Sequence, residues 1–183
     1  MPIKKTSLED LVQTCKEVFH RKGYYNTSMA DLAQACGLLK GSFYHYFPGK
    51  EDIMKAVLRD SHTKLKEQAL SVVHDEDRAP KEKLSWVLGC IGGQVSMYKS
   101  CLYGNTVLET SLLVPDFRSI LQEVFDDIQA ALQTIYLTKY TPEESKKRAM
   151  SSTQQLQGAV MMMKLYDDVA ILQEAQQAIV DEF

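Results

Sequence analysis

The sequence lacks the features that mark membrane, exported and disulfide-rich proteins. Of its 183 residues only nine are glycine, five are proline and four are cysteine. No uninterrupted apolar run approaches the roughly 18 residues that span a bilayer, and the first residues contain no apolar signal segment. We therefore expect a cytoplasmic protein that does not use a membrane as a partner.

The cysteines are too widely spaced to suggest a bound metal. None belongs to a CxxC pair, and none has a histidine at a spacing typical of zinc ligands. In a reducing compartment they are expected to be small core residues or free thiols. A redox pair between Cys90 and Cys101 is the alternative, and neither a metal nor a cofactor is expected.

Motifs of the common enzyme classes are also missing. The chain contains no GxSxG, no HExxH and no phosphate-binding loop, and its four histidines show no partner pattern. An enzyme on a helical scaffold is therefore the least favoured of the functions considered.

The charge is divided unevenly along the chain. Residues 1–50 contain seven Lys/Arg and four Asp/Glu, which gives +3, whereas residues 51–183 contain fourteen and twenty, which gives −6. This asymmetry is typical of a protein that meets phosphate with one end only.

Helical periodicity runs through the whole sequence. Leu11, Cys15 and Phe19 belong to one apolar stripe, and Ser7 and Asp10 have the spacing of a capping box at its start. Ser28 and Asp31 repeat this spacing at the start of the second predicted helix. No alternating strand pattern, repeat or low-complexity segment is present, so the predicted fold is all-α with about nine helices. They are predicted between residues 7–23, 28–37, 40–46, 50–73, 81–100, 104–113, 116–138, 142–166 and 168–182.

Residues 28–47 have the pattern of a helix-turn-helix. Two short predicted helices are joined at Gly37, and in this motif the second helix enters the major groove of DNA. Phe43 and Phe47 would anchor that helix to the core, and Lys50 would begin the next helix, whose N-terminal amides favour a phosphate. The residues then left to face DNA are Lys40, Gly41, Ser42, Tyr44 and His45. The alternative is that the aromatic residues are only the core of a small bundle.

The same stretch resembles a known family signature. LAQACGLLKGSFYHYFPGKED at residues 32–52, with GYYNTSM at 23–29, closely resembles the N-terminal signature of the TetR/AcrR family of regulators. The resemblance covers about residues 8–58. It implies a three-helix DNA-binding domain at 1–50, a connecting helix at about 50–73, and a helical domain at 81–183 that dimerises and binds a small ligand.

The resemblance also assigns roles to individual residues. Contacts to base edges are implied for Lys40, Gly41, Ser42 and His45. Contacts to phosphates are implied for Ser28, Tyr44, Tyr46 and Lys50. Two positions depart from the family pattern: Leu39 replaces a frequent Ser or Thr cap, and Ala30 replaces an Arg that some members carry.

The second half of the chain suggests a small-molecule site less specifically. Apolar walls with a few polar groups are typical of ligand pockets, although a Met and aromatic stripe at helical spacing is more often simply part of a core. The candidate ligand residues are Trp86, Cys90, Met97, Tyr98, Tyr103, Asn105, Phe125, Met162 and Tyr166.

The last two predicted helices carry more apolar residues than one buried face requires. They are candidates for a four-helix dimer interface, with packing inside one chain as the alternative. Leu156, Val160, Met163 and Ile171 are the examples.

Together with the family resemblance, these patterns favour a homodimeric repressor that binds a pseudo-palindromic operator in double-stranded DNA and is released from it by a small-molecule inducer. A carrier protein that retains a vestigial DNA-binding head is the alternative. The presence of Lys40, Tyr44 and Lys50 argues against it. Repression and activation are not distinguished by the sequence.

Overall fold

The all-α prediction is confirmed. A computed structural model describes residues 7–110 and 114–183, and in these ranges it contains nine α-helices, one 3-10 helix at Leu70–His74 and no strand. The α-helices are α1 (Leu8–Lys22), α2 (Met29–Ala35), α3 (Lys40–Phe43), α4 (Lys50–Gln68), α5 (Pro80–Tyr98), α6 (Leu102–Thr110), α7 (Pro115–Tyr136), α8 (Pro142–Tyr166) and α9 (Ala170–Asp181). Among the described residues, no helix has both the length and the apolar character to cross a membrane.

The chain divides into two compact units. The N-terminal unit comprises Met1–Ser61 and Leu102–Ile120, and the C-terminal unit comprises His62–Cys101 and Leu121–Phe183. Two of the boundaries between these units fall inside helices, one in α4 and one in α7, and the sequence indicated neither. Helix α6 belongs with the N-terminal helices. The functional division into residues 1–50 and 81–183 stays a prediction.

Capping boxes begin the first two helices, as their sequences predict. The Ser7 hydroxyl accepts from the Asp10 N–H at 3.1 Å, and Ser28 accepts from the Asp31 N–H at 3.2 Å. Each aspartate in turn accepts from the backbone N–H of its serine. Because these bonds satisfy amides that the helix leaves open, they define where α1 and α2 begin.

Two helices end three or more residues earlier than predicted. α3 ends at Phe43 instead of Tyr46, and residues 44–46 form a turn closed by a 3.2 Å bond from the Phe47 N–H to the Phe43 carbonyl. α4 ends at Gln68 instead of continuing to Val73. Near that end the Ser71 hydroxyl donates to the Glu67 carbonyl at 2.8 Å, the kind of local bond that competes with regular helix. The last predicted residues of the sixth helix, 111–113, lie outside the described residues.

The C-terminal unit buries much of the apolar surface that suggested a dimer face. α9 packs against α5 and α8, and Leu156, Val160 and Met163 are buried within this unit, while Ile171 is half-buried. The expectation that these residues form the dimer face is therefore wrong for the three buried ones. They are core residues of this unit, and α9 is the helix that packs against α8.

Gly92 shows why α5 tolerates glycine. A Cβ at this position would collide with the side-chain amide of Gln176, which donates to the Leu88 carbonyl. Gly92 therefore permits the close approach of α5 and α9. Close helix packing at Gly92 thus offsets the roughly 1 kcal/mol that a glycine costs inside a helix.

Candidate nucleic-acid interface

The candidate interface consists of α3 and the turn that follows it. Phe43 is fully buried and Phe47 nearly so, with ring centroids 5.8 Å apart, as predicted for the anchors of a recognition helix. The remaining side chains of this segment are exposed; Tyr44 is 43% and Tyr46 is 47% exposed. We call this exposed set the reading surface: Lys40, Gly41, Ser42, Tyr44, His45 and Tyr46.

The turn in front of the reading surface is a Schellman motif. Gly37 has φ +67°, its N–H donates to the Gln34 carbonyl at 3.0 Å, and the Leu38 N–H donates to the Ala33 carbonyl at 2.9 Å. Leu39 then caps α3 without a side-chain hydrogen bond, as expected from its departure from the family pattern. The short α3 therefore depends on Phe43 and Phe47 for its position more than on a cap.

Ser28 lies at the start of α2, and its hydroxyl already has a partner. It donates to the Asp31 carboxylate at 2.6 Å, and Lys22 contacts the other oxygen of that carboxylate at 2.6 Å. Lys22 and these Ser28 bonds hold the pKa of Asp31 well below its usual range. A phosphate contact from Ser28 requires its hydroxyl proton to turn away from Asp31.

Lys50 is at the first position of α4, as predicted, but its ammonium is partly engaged. Nζ donates to the Tyr24 carbonyl at 2.8 Å and lies 4.3 Å from the centre of the Tyr24 ring. Burial lowers the pKa of Lys50, and the charge of Glu109 opposes that shift. An ammonium has three N–H donors, so two remain beyond the bond to Tyr24.

Glu109 is the functional candidate that sequence reasoning missed. Its carboxylate accepts from the backbone N–H groups of Tyr24 at 2.8 Å and Tyr25 at 3.1 Å, in the connection between α1 and α2. A Cβ on Gly23 would lie 2.6 Å from the same carboxylate, so the glycine makes room for it. The glycine itself, which has φ +75° in the structure, is the local signal in the sequence, and it does not indicate a carboxylate 85 residues beyond Tyr24.

Residues near the start of α7 hold the same connection from another side. Phe117 is fully buried and meets the Tyr24 ring edge-on at 5.2 Å between centroids. Asp116 contacts Lys55 of α4 at 2.6 Å, and this contact, with Glu51, raises the pKa of Lys55. Glu109 of α6 and the first residues of α7 thus hold the connection between α1 and α2 and contact α4.

The candidate ligand residues do not form one cluster within either compact unit. Tyr103 and Asn105 are half-buried on α6 in the N-terminal unit, and the other seven belong to the C-terminal unit. Tyr98, Cys90 and Phe125 are half-buried. Trp86, Met97, Met162 and Tyr166 are exposed.

Trp86 and Cys90 do meet at one place. The Trp86 indole N–H donates to the Gln68 carbonyl at 3.1 Å, and the Cys90 sulfur lies 3.9 Å from the same oxygen. Trp86 also lines an open hollow of about 470 Å³ together with Arg78, Lys81, Glu82 and Ser85. The assignment of a ligand site to these residues stays a prediction.

Comparison with known proteins matches both halves of the chain to bacterial transcriptional regulators. Residues 11–57 match the model of bacterial regulatory proteins of the tetR family, and residues 93–178 match the C-terminal domain of LmrA/YxaF-like transcriptional regulators. An HTH-type transcriptional regulator of Lactococcus lactis, encoded in the lacX 3′ region, is 29% identical over 92% of this chain and 89% of its own.

Two further similarities bear on fold and on function. The repressor DhaR of Mycobacterium sp. is 29% identical over 64% of this chain and 59% of its own. A TetR transcriptional regulator from Legionella pneumophila has the same fold, with a TM-score of 0.87 and 23% identity over the whole of both chains. Regulators of this kind bind DNA and are not enzymes.

Proposed function

This chain belongs to the TetR family of helix-turn-helix transcription regulators, and on that premise we propose that it is a cytoplasmic repressor which a small molecule releases from its operator. The observation that carries the proposal is the reading surface, an exposed polar and aromatic segment held on two buried phenylalanines. DhaR is named a repressor, which favours repression over activation.

The reading surface supplies groups suited to the major groove. The Lys40 ammonium is a donor for the O6 and N7 acceptors of guanine, and Ser42 and His45 donate or accept at other base edges. Gly41 has no atom within 4 Å of the position its Cβ would take, so its backbone can approach the DNA closely. These four residues carry the sequence preference.

Phosphates are held by residues at the edges of this surface. The Tyr44 and Tyr46 hydroxyls, the Ser28 hydroxyl and the two remaining N–H donors of Lys50 are the donors we assign to them. Contacts of this kind fix orientation and register on the duplex without reading sequence.

A homodimer places two reading surfaces on one duplex. The exposed side of α8 carries Met161, which is 63% exposed, and Leu165, which is 70% exposed, one helical turn apart. Gly158 on the same side has open space around it, so a second helix can approach closely. We assign the dimer contact to this side of α8, in place of the residues that proved to be core.

Ligand response is proposed to pass through α6. This helix carries the candidate ligand residues Tyr103 and Asn105 near its start and Glu109 near its end. A ligand that displaces α6 would withdraw the Glu109 carboxylate from Tyr24 and Tyr25 and loosen the connection between α1 and α2. Such a ligand releases DNA only to the extent that it binds the displaced form more tightly.

The test begins with selection from a pool of random duplexes by the full chain. We expect a pseudo-palindrome whose half-sites lie about one helical turn or slightly more apart, protected in footprinting by a dimer. A single asymmetric half-site bound by a monomer would contradict the proposal. Ligands are then sought by thermal shift, and a ligand that stabilises the protein without weakening operator binding would contradict ligand release.

A further inference from the structure

The helix-turn-helix region contains two cysteine side chains whose sulfur atoms are in contact. Cys15 of α1 and Cys36, the residue that caps the end of α2, have their Sγ atoms 3.8 Å apart. The two residues are 21 positions apart in the chain, so the contact is made by the packing of α1 against α2. Cys90 and Cys101, the pair considered from the sequence, contact Gln68 and Gln157 respectively.

The two thiols differ in a way that assigns them separate roles. Cys15 is fully buried, whereas Cys36 is partly exposed at the helix end. The hydrogen bond with Cys15 lowers the pKa of Cys36, and the same contact together with burial raises the pKa of Cys15. An accessible sulfur with increased thiolate character is the one that reacts first with an oxidant.

We propose that Cys15 and Cys36 are a modification site at which a hydroperoxide forms a disulfide that weakens DNA binding. The Cys36 thiolate attacks the peroxide oxygen, and with one proton this yields Cys36 sulfenic acid and water or an alcohol. The Cys15 thiol then attacks the Cys36 sulfur, and a disulfide forms as water leaves. Two electrons pass from the two thiols to the hydroperoxide, and no further reactant is needed.

The position of Cys36 connects this chemistry to the reading surface. A disulfide is about 2 Å long, so the sulfurs must come closer by about 1.8 Å than their present 3.8 Å. Cys36 is followed directly by Gly37 and the Schellman turn, and α3 begins only four residues later at Lys40. A shift at Cys36 therefore moves the start of α3, where the base contacts are assigned.

The modification itself is tested with hydrogen peroxide on the full-length chain. We expect the intact mass to fall by two hydrogens, a Cys15–Cys36 peptide on digestion, and full reversal by dithiothreitol. Cys36→Ala should prevent the loss, and Cys15→Ala should leave a sulfenic acid on Cys36 that dimedone traps. Cys90→Ala is the matched control, because Cys90 is a partly exposed thiol of the other unit. This variant should lose two hydrogens with peroxide as the parent does. A covalent dimer through Cys36, or no loss of hydrogens, would overturn the proposal.

The effect on DNA is measured on a duplex selected under reducing conditions. Oxidised protein should bind it about tenfold more weakly or worse, the cost of roughly one good base contact, and dithiothreitol should restore binding. This half rests on the proposed function, whereas the thiol chemistry does not. A failed selection would therefore reject the DNA proposal alone, and a disulfide with unchanged affinity would reject the regulatory role alone.

Discussion

Replacing Glu109 by alanine is the most direct test of how the connection between α1 and α2 is held in place. The substitution removes the acceptor of two backbone N–H bonds, at 2.8 Å to Tyr24 and 3.1 Å to Tyr25. Hydrogen bonds to a charged group contribute about 1.5–3 kcal/mol each. Tyr24 is buried, whereas Tyr25 is exposed and its N–H can bond to water once the carboxylate is removed. We therefore count the bond to Tyr24 in full and neglect the bond to Tyr25.

The expected cost of Glu109→Ala is therefore about 1.5–3 kcal/mol in the free energy of unfolding. For a chain of this size each kcal/mol corresponds to about 2–4 °C in Tm, so the midpoint should fall by roughly 3–12 °C. Operator affinity should fall as well, because the connection that leads into α2 loses its acceptor. Any inducer should then change operator affinity by a smaller factor, since the contact it removes is already absent.

Thermal unfolding and operator titration, with and without inducer, measure these effects. Glu109→Gln keeps one acceptor oxygen and should lose less than half as much stability as Glu109→Ala. Leu108→Ala is the matched control, because Leu108 is the neighbouring, highly exposed residue of the same helix, and it should change Tm little. If Glu109→Ala matched Leu108→Ala in Tm and in operator affinity, the reasoning on α6 would be refuted.

The remaining predictions concern DNA contacts, pH and assembly. Lys40→Ala should change which bases are preferred in operator titrations. Lys50→Ala should weaken binding to all duplexes and lower the slope of log affinity against log salt concentration by about one per half-site. A changed base preference in Lys50→Ala would contradict its assigned contact to phosphate. Asp31→Asn should destabilise the protein at neutral pH. The pKa of Asp31 in the folded protein is depressed, so its contribution to the free energy of unfolding is present above the ordinary carboxyl pKa of about 4 and is lost as the pH falls below that value. The stabilities of parent and variant, measured by urea titration, should therefore converge in acid. A stability difference that is unchanged at low pH would contradict this prediction. Leu165→Glu should give a monomer in light scattering, with Lys164→Glu, an exposed neighbour on α8, still dimeric.

Features that depend on neighbours in the sequence were predicted correctly. The capping boxes at Ser7 and Ser28 join residues three positions apart, and Phe43 and Phe47 lie one turn apart. Such contacts follow from helix geometry alone. The end of α3 was placed too late because the next helix-breaking residues in the sequence are Pro48 and Gly49. In the structure the His45 and Tyr46 N–H groups instead donate three residues back, to the Ser42 and Phe43 carbonyls, and form a turn.

Features that depend on which helices pack together were decided only by the tertiary structure. The burial of Leu156, Val160 and Met163 depends on the helices that cover α8, and the same apolar pattern would serve a dimer face. The pairing of Cys15 with Cys36 joins positions 21 residues apart, and neither position contains a motif that indicates the other.

The sequence by itself determined an all-α regulator with a helix-turn-helix, because periodicity, caps and the family signature are all local patterns. Only the tertiary structure decided that Glu109, 85 residues from Tyr24, supports the connection before α2, and that α6 belongs to the N-terminal unit. The physical reason is that a carboxylate can accept from any amide that packing brings within about 3 Å. Its partner is therefore selected by the arrangement of helices and not by the residues beside it in the chain.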